Sequence, residues 1–238
     1  MWNPVIALKS IVSFLVPLYV IFLSASASFS LTPKQVSQKL DVVLVFLIAE
    51  KVNNEYKMMF FNNASGFVSS PWFLTRKSAE AFKSTIKTKK MVEIISLPLP
   101  KAQGAFEETA ALPDNKNKIF KAPLYAADVD AEEATKILLA EGYTLEQIRQ
   151  GVQVPVFYTE PMAVVSTSNG AKKAYFFSYK QMQDRLKSLS GVDTKDLKIK
   201  VADLNVVLAA IAKSEKDEFI FHPTPAYIKA DPSILLKE

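Results

Sequence analysis

The chain has 238 residues, of which 49% are hydrophobic and 11% aromatic, and its formal charge at pH 7 is +5. Only 6 glycines against 13 prolines argue against a low-complexity or disordered chain, and indicate a packed core in one large domain or two small ones. The absence of cysteine excludes disulfides, thiol nucleophiles and thiolate metal sites, and a single histidine excludes a metal site with two histidine ligands.

The N-terminal residues have the layout of a secretory signal peptide. Lys9 precedes a short apolar run, residues 11–23, and Ala25 and Ala27 occupy the −3 and −1 positions of an A-x-A cleavage site. An uncleaved membrane anchor is the alternative, but the run is shorter than the roughly 20 residues that span a bilayer, and Pro17 interrupts it. We therefore expect cleavage after Ala27 and a soluble, exported protein whose formal charge is +4, from 28 basic and 24 acidic residues.

The first predicted unit begins with a buried strand, "DVVLVFLIAE", which a "VNNE" turn joins to the strand "YKMMFF", apolar on both faces. The turn "NNASG" and the strand "FVSSPWFLT" follow. Thr75 is the predicted N-cap of the helix "RKSAEAFKSTIK", in which Ala79, Phe82 and Ile86 form an apolar stripe. "MVEIISLPLPKAQGAF" predicts a strand and then a short helix or loop, and "NKIFKAPLY" predicts a strand closed by Pro123.

A helical segment follows the first unit. Asp130 and Glu133 have the spacing of a capping box for its first helix, which Gly142 is predicted to end. Thr144 and Gln147 have the same spacing at the start of a shorter helix. The segment is therefore predicted to be a helical linker.

The second unit opens with the strand "VQVPVFYTE", and Asn169-Gly170 between two apolar runs predicts a hairpin. Ser178 and Gln181 have capping-box spacing ahead of the helix "YKQMQDRLKSLS". The strand "LKIKVADL", a short helix with Asp203 as N-cap, the strand "EFIFHPTP" and a last helical turn near residue 226 complete the unit.

The order strand–hairpin–helix–strand–helix–strand thus occurs twice, and four local blocks match in the same order. The predicted fold class is α+β, with two pseudo-symmetric copies of this unit joined by a helical linker. The predicted boundaries are 1–27 for the signal peptide, 28–127 for the first unit, 128–151 for the linker and 152–238 for the second unit.

The candidates for chemistry are few. His222, at the end of a predicted strand, is either a general base or single metal ligand, or a hydrogen-bonded strand residue, which we favour. The D-x-D spacing from Asp128 to Glu133 resembles the start of a calcium loop, but the central glycine and the last glutamate of such a loop are missing, so we interpret these acids as helix-start residues. Glu107 and Glu108 are candidates for carboxylate-based hydrolysis only because they are adjacent.

Two surfaces are candidates for binding. Apolar residues in "YKMMFF" and "SSPWFL" either belong to a covered core or form an apolar groove for a client protein; they are Met58, Met59, Phe60, Phe61 and Trp72. Four lysines form the last turn of a helix or a contact with a membrane or partner; they are Lys83, Lys87, Lys89 and Lys90.

The doubled set of blocks resembles a known family. "VPVFYTE" before a hairpin, "AYFFSYKQMQDRLKSL", "LKIKVADLNVVL" and "EFIFHPTP", with "FLTRKSAEAFKS" in the first unit, are similar to the twenty-two-kilodalton subunit of the chloroplast inner-envelope translocon (Tic) and its cyanobacterial relatives. The resemblance runs from about residue 33 to the end of the chain. Two departures are Leu44, where the second copy has Pro155, and the strongly apolar "YKMMFF".

This resemblance implies a soluble α+β protein with pseudo-twofold halves that works between membranes. Its members hand over precursor proteins or aid outer-membrane protein biogenesis in a chaperone-like way, are not known as enzymes, and have proposed client surfaces in apolar grooves between the halves. We expect no cofactor, and as partners unfolded or precursor proteins and outer-membrane assembly or translocon components, with peripheral membrane association possible and no nucleic acid. The alternatives are a structural adaptor on a membrane translocation complex and an exported carboxylate-based hydrolase.

The compartment is expected from the N-terminus. No Arg- and Ser-rich spacer of the plastid-transit type separates the signal peptide from the first unit. This favours the periplasm or thylakoid lumen of a cyanobacterium over the plastid intermembrane space.

Overall fold

The computed structural model describes residues 31–63, 66–88, 90–167, 170–188, 197–214 and 216–230. The predicted signal peptide, Lys89 and Asn169 lie outside these ranges. Within them, no helix has both the length and the apolar character needed to cross a membrane.

Among its described residues, the first half has three α-helices, a short 3-10 helix and eight strands. Its elements are α1 (Pro33–Gln38), β1 (Leu44–Val52), β2 (Glu55–Met58), β3 (Phe61–Asn62), β4 (Phe67–Ser69), β5 (Trp72–Phe73), α2 (Arg76–Lys83), β6 (Val92–Pro98), α3 (Leu99–Ala110), the 3-10 helix Pro113–Asn115, β7 (Ile119–Lys121) and β8 (Leu124–Tyr125). Thr75 N-caps α2 as predicted, accepting a hydrogen bond from the Ser78 N–H.

The strand β1 is the centre of the main sheet of this half. It pairs antiparallel with β6 along one edge and with β2 and β5 along the other. Successive side chains of a strand point to opposite faces, so Val45 and Leu47 enter one core while Phe46 and Ile48 enter another, beneath α2. Both faces of β1 are therefore covered, which explains its unbroken apolar sequence.

The predicted strand "YKMMFF" is wrong as a single strand. The chain leaves the main sheet after Met58 and enters a second, three-stranded sheet at Phe61, where β3, β4 and β7 pair. The apolar residues of this stretch serve two sheets, and this is the reason that no polar alternation appears.

The linker forms α4 (Asp128–Ala140) and α5 (Leu145–Gly151). Gly142 ends α4 with a positive φ of 93°, and the capping box of Thr144 and Gln147 forms at α5, both as predicted. The predicted capping box of Asp130 is wrong, because the N-cap of α4 is Ala127. The buried Asp130 carboxylate instead accepts the backbone N–H of Tyr179, at 2.8 Å.

The second half contains β9 (Pro155–Glu160), β10 (Val164–Thr167), β11 (Gly170–Tyr175), α6 (Tyr179–Ser188), β12 (Lys198–Asp203), α7 (Leu204–Lys213), β13 (Phe219–Phe221) and α8 (Pro225–Ala230). The hairpin of β10 and β11 is confirmed, with Thr167 opposite Gly170. The predicted capping box of Ser178 and Gln181 is wrong. The Gln181 side-chain amide donates to the Pro223 carbonyl, and Gln181 Oε1, which would accept the N-cap N–H in a capping box, has no partner among the described residues.

The two halves share one pairing scheme. The antiparallel pair β1–β6 corresponds to β9–β12, the antiparallel pair β3–β4 to β10–β11, and the parallel pair β4–β7 to β11–β13. Superposition of the halves remains the test of the predicted internal repeat.

A central core lies between the halves. It combines Val45 and Leu47 of β1, Val156 of β9 and Leu208 and Ile211 of α7. Burial of apolar side chains from both sheets and from α7 in one cluster stabilises the halves as a unit.

The linker helix α4 packs on the second half, and α8, the last described helix of the second half, packs on the first half. Ala134 and Leu138 of α4 pack with Phe157 and Phe176 of the second half. Tyr227 of α8 packs on the core of Phe46, Ile48 and Ala79 beneath α2, which we call the outer core of the first half. Just before α8, the Thr224 hydroxyl accepts the N–H of Leu44, and the Thr224 N–H donates to the Val42 carbonyl.

Two nearly buried lysines share one carboxylate of the second half, and one of them, Lys39 at the end of α1, ties the N-terminal helix to that half. The side chains of Lys39 and Lys172 are 11% and 10% exposed, and both ammonium groups contact the carboxylate of Asp217. Lys39 also donates to the Phe219 carbonyl at 2.7 Å, and Lys172 to the Asp217 carbonyl. We call these three residues the Asp217 clamp.

A pH-dependent stability is expected from Asp130. Burial raises the pKa of its carboxyl, and the hydrogen bonds from Tyr179 and Ser178 only partly offset that effect. A raised pKa means that the folded state binds the proton more tightly, so this contribution to stability is complete below about pH 3.8 and is lost as the pH rises through the folded pKa.

Asp130→Asn keeps an acceptor oxygen for Tyr179 and removes the charge. We therefore expect the free energy of unfolding of the variant, relative to wild type, to increase between pH 4 and pH 7 in urea denaturation. The two proteins showing parallel pH profiles would contradict this assignment.

Candidate functional site

The five predicted client-binding residues do not form one surface. Met58 packs against the central core, whereas Met59 and Phe61 pack against the outer core beneath α2. Trp72 is only 5% exposed and lies in the central core. Phe60 is half-buried and joins a group of aromatic side chains that also includes Trp72.

That group is the aromatic cluster, formed by Phe60, Phe106, Phe120 and Trp72. The ring centroid of Phe60 lies 5.8 Å from that of Phe106 and 5.4 Å from that of Phe120, and the Phe106 and Phe120 centroids are 6.1 Å apart. Trp72 lies edge-on to Phe106 at 5.8 Å and forms the buried floor. The three phenylalanines are half-buried, so each residue keeps part of its surface exposed to solvent.

Three separate elements bring these rings together. Phe60 sits where the chain passes from β2 to β3, Phe106 lies on α3, and Phe120 is the middle residue of β7, opposite Val68. Phe106 and Phe120 were missed from the sequence because each is a single aromatic inside an ordinary helix or strand. Their approach depends on the parallel pairing of β7 with β4, for which the sequence carries no local signal.

The floor of the aromatic cluster contains unpaired polar atoms. The Trp72 indole N–H and the nearby Ser70 hydroxyl are buried and have no hydrogen-bond partner among the described residues. An unpaired buried polar group costs roughly 1–3 kcal/mol. These two unpaired groups therefore lower the stability of this part of the core.

The second half has related aromatic contacts, but they are more deeply buried. Tyr175, Phe177 and Phe221 belong to the central core. Phe219 is half-buried, with its ring 5.9 Å from that of Tyr175 and the Lys173 ammonium 5.2 Å from its centre. The group in the first half thus has three half-buried rings, whereas this group in the second half has one, Phe219.

The three described lysines of the predicted group lie at the end of α2 and in the segment after it. The helix α2 ends at Lys83, earlier than predicted, so Lys87 and Lys90 follow the helix rather than forming its last turn. Lys83 is half-buried, and the Lys90 ammonium pairs with Glu50 at 2.6 Å.

The remaining candidates for chemistry lie in three separate places. His222 is 8% exposed, and its ring stacks on Phe176 with centroids 4.8 Å apart and its Nδ1 3.1 Å from the Pro223 carbonyl. The acids from Asp128 to Glu133 lie on the first turns of α4, not in a loop. Glu107 and Glu108 are exposed on α3, and Glu107 accepts a hydrogen bond from Gln103. The described residues hold no group of three or more potential metal ligands.

Comparison with solved structures identifies the fold. Tic22 of Anabaena, described as a protein-transport structure, matches with a TM-score of 0.65 at 17% identity, over 85% of this chain and 97% of that chain. Tic22 from Plasmodium falciparum matches with a TM-score of 0.59 at 19% identity, over 85% of this chain and 98% of that chain. No family model and no curated protein matches the sequence. The chain has the Tic22 fold, which confirms the mixed α and β architecture and the resemblance predicted from the repeated blocks.

Proposed function

We propose that this chain, which has the Tic22 fold, is a protein-transport factor that escorts unfolded proteins in a chaperone-like way. The observation that carries the proposal is the half-buried aromatic cluster at Phe60, Phe106 and Phe120. The description of the Anabaena structure as a protein-transport factor supports the general role.

The chemistry of the aromatic cluster suits an unfolded client. Aromatic faces contact many different apolar side chains, and their area contributes binding energy without demanding a fixed hydrogen-bond pattern. Covering the exposed part of each ring contributes on the order of 1 kcal/mol, from about 25 cal/mol per Å² of apolar area. Three adjoining rings therefore provide weak, reversible and sequence-tolerant binding, as an escort requires.

The test removes two of the three half-buried rings, those of Phe60 and Phe120. We expect the double substitution Phe60→Ala and Phe120→Ala to raise by about tenfold the protein concentration needed to suppress aggregation of a urea-unfolded outer-membrane protein on dilution. This factor corresponds to about 1.4 kcal/mol of lost binding. Light scattering measures the effect.

Phe219→Ala is the matched control, because it removes a half-buried ring of the second half outside the aromatic cluster. Thermal melts of both variants identify any loss caused by unfolding alone. Equal activity of the double variant and the control, with both folded, would overturn the aromatic cluster as the client site. Absence of suppression by the wild type would overturn the function itself.

The compartment and partners are part of the same proposal. The signal-peptide layout supports export to a periplasm or thylakoid lumen, with outer-membrane assembly or translocon components as partners. A structural adaptor that docks through Lys83, Lys87, Lys89 and Lys90 is less favoured, because Lys90 is paired with Glu50 and Lys83 is half-buried.

A further inference from the structure

The strand β6 lies at the edge of the main sheet. Its only strand partner among the described residues is β1, which it pairs along seven residues from Val92↔Glu50 to Pro98↔Leu44. The helices α2 and α3 contact β6 in addition. The opposite edge of β6 therefore has no neighbouring strand in the part of the chain that the structure describes.

The register shows which backbone groups face that open edge. The Lys51 N–H donates to the Met91 carbonyl, and the Leu99 N–H donates to the Val43 carbonyl. In an antiparallel pair, hydrogen-bonded residues alternate with residues whose N–H and C=O point away from the partner strand. Because Met91 and Leu99 are bonded to β1, the outward-pointing residues are Val92, Ile94 and Ser96.

These outward groups make no backbone hydrogen bond to any described residue. Val92 and Ile94 are half-buried, and Ser96 is exposed. Next in this series is Pro98, which has no N–H, so the bonding edge ends at Ser96. The open edge spans about five residues, or roughly 17 Å.

The edge of β6 carries little protection against pairing with another chain. Natural edge strands are commonly protected by charged side chains, especially lysines. The corresponding strand β12 has two lysines, Lys198 and Lys200. The strand β6 has one charge, Glu93, which accepts a hydrogen bond from Tyr56 at 2.9 Å.

We propose that the outward edge of β6 binds an extended segment of the client protein as an added antiparallel or parallel strand, and that this segment is apolar with acidic flanks. Three alternate N–H and C=O pairs require a polypeptide backbone as the ligand. The apolar neighbours Val92 and Ile94 on one face and Ile95 and Leu97 on the other favour apolar client side chains.

Charge supports the acidic flanks. Residues 83–101 contain five lysines, with Lys90 just before β6 and Lys101 just after it, against the single acid Glu93. Lys90 is paired with Glu50 at 2.6 Å, so carboxylates beside the apolar segment would meet the exposed Lys87, before the strand, and Lys101, after it. This inference rests on the proposed escort function and adds a second, backbone-directed contact to the aromatic cluster.

The test uses a fluorescein-labelled peptide with a six-residue core of alternating valine and threonine and two glutamates at each end. Ser96→Pro removes one outward N–H without touching a bond to β1, and Ser96→Ala keeps that N–H. We expect Ser96→Pro to weaken peptide binding at least tenfold in fluorescence anisotropy, while Ser96→Ala stays within twofold of wild type. Equal affinities of the two variants would overturn the proposal, as would no binding to wild type at 100 µM peptide.

Hydrogen exchange on the wild type gives an independent readout should Ser96→Pro fail to fold. We expect the peptide to slow exchange of the Val92, Ile94 and Ser96 amides, and a peptide N-methylated at alternate core residues to lose this effect. Peptide binding without protection of these amides contradicts the edge as the site. Sedimentation equilibrium tests whether a second copy of the chain occupies the edge instead. A wild-type dimer that persists in Ser96→Ala and dissociates in Ser96→Pro would assign the edge to that second copy.

These outcomes are separate from those of the escort function. Aggregation suppression that depends on Phe60 and Phe120 but not on Ser96→Pro would leave the proposed function standing and overturn the edge. If the wild type binds the peptide but does not suppress aggregation, the escort function is overturned and the edge of β6 stands as a peptide-binding site.

Discussion

Asp203→Ala is expected to lower the free energy of unfolding by about 4 kcal/mol. One carboxylate oxygen accepts the backbone N–H groups of Gln153 and Val154, at 2.7 and 3.0 Å, and the other accepts the N–H of Asn205, at 2.9 Å. Loss of a helix N-cap costs about 1 kcal/mol, and each buried N–H left without an acceptor costs roughly 1–3 kcal/mol. The buried Asp203 thus joins the start of α7 to the entry of β9.

Urea denaturation measures this loss, and Thr75→Ala is the matched control. Thr75 caps α2 but accepts only hydrogen bonds from within its own helix start, so its removal is expected to cost about 1 kcal/mol. Equal losses for the two variants would show that the bonds from Asp203 to the β9 entry contribute nothing measurable.

The second large effect is expected at the Asp217 clamp. Asp217→Ala leaves the ammonium groups of Lys39 and Lys172 nearly buried and without their carboxylate. Breaking a fully buried ion pair costs about 3–5 kcal/mol, but Asp217 itself is 57% exposed, so solvent reduces the expected loss to about 2 kcal/mol. Glu218→Ala is the control, because its pair with Lys173 is exposed on both sides and is expected to contribute under about 0.5 kcal/mol.

The Asp217 clamp also has a pH dependence. Hydrogen bonds from Lys39 and then from Lys172 lower the pKa of the Asp217 carboxyl, with burial opposing them. A lowered folded pKa gives stability that is present above the unfolded value of about 3.8 and is lost as the pH falls through the folded pKa. We expect the difference in unfolding free energy between wild type and Asp217→Ala to shrink below pH 3.8, and a constant difference down to pH 2 would contradict this.

Local signals in the sequence predicted most of the fold. Thr75, Thr144 and Asp203 cap helices as expected, because an N-cap needs only residues within one turn. The hairpin before Gly170 depends equally on near neighbours. The order of these elements was sufficient for the resemblance that the Tic22 structures confirm.

Features that depend on distant partners were not predictable in the same way. Asp130 has the spacing of a capping residue, but a long-range hydrogen bond to Tyr179 decides its role. Likewise, the aromatic cluster depends on Phe106 and Phe120, which only the packing of α3 and β7 brings to Phe60. Of the predicted client-binding residues, Phe60 lies half-buried in that cluster and Trp72 is its floor.

The packing of α8 on the first half constrains the order in which the chain can fold. The outer core of the first half includes Tyr227, and its strand β1 is bonded by Thr224. Thr224 lies 180 residues after Leu44, so the first half stays incomplete until the second half is available. Native tertiary structure is therefore expected to be acquired in one cooperative step once both halves are present, and a chain truncated after the linker is expected to remain protease-sensitive.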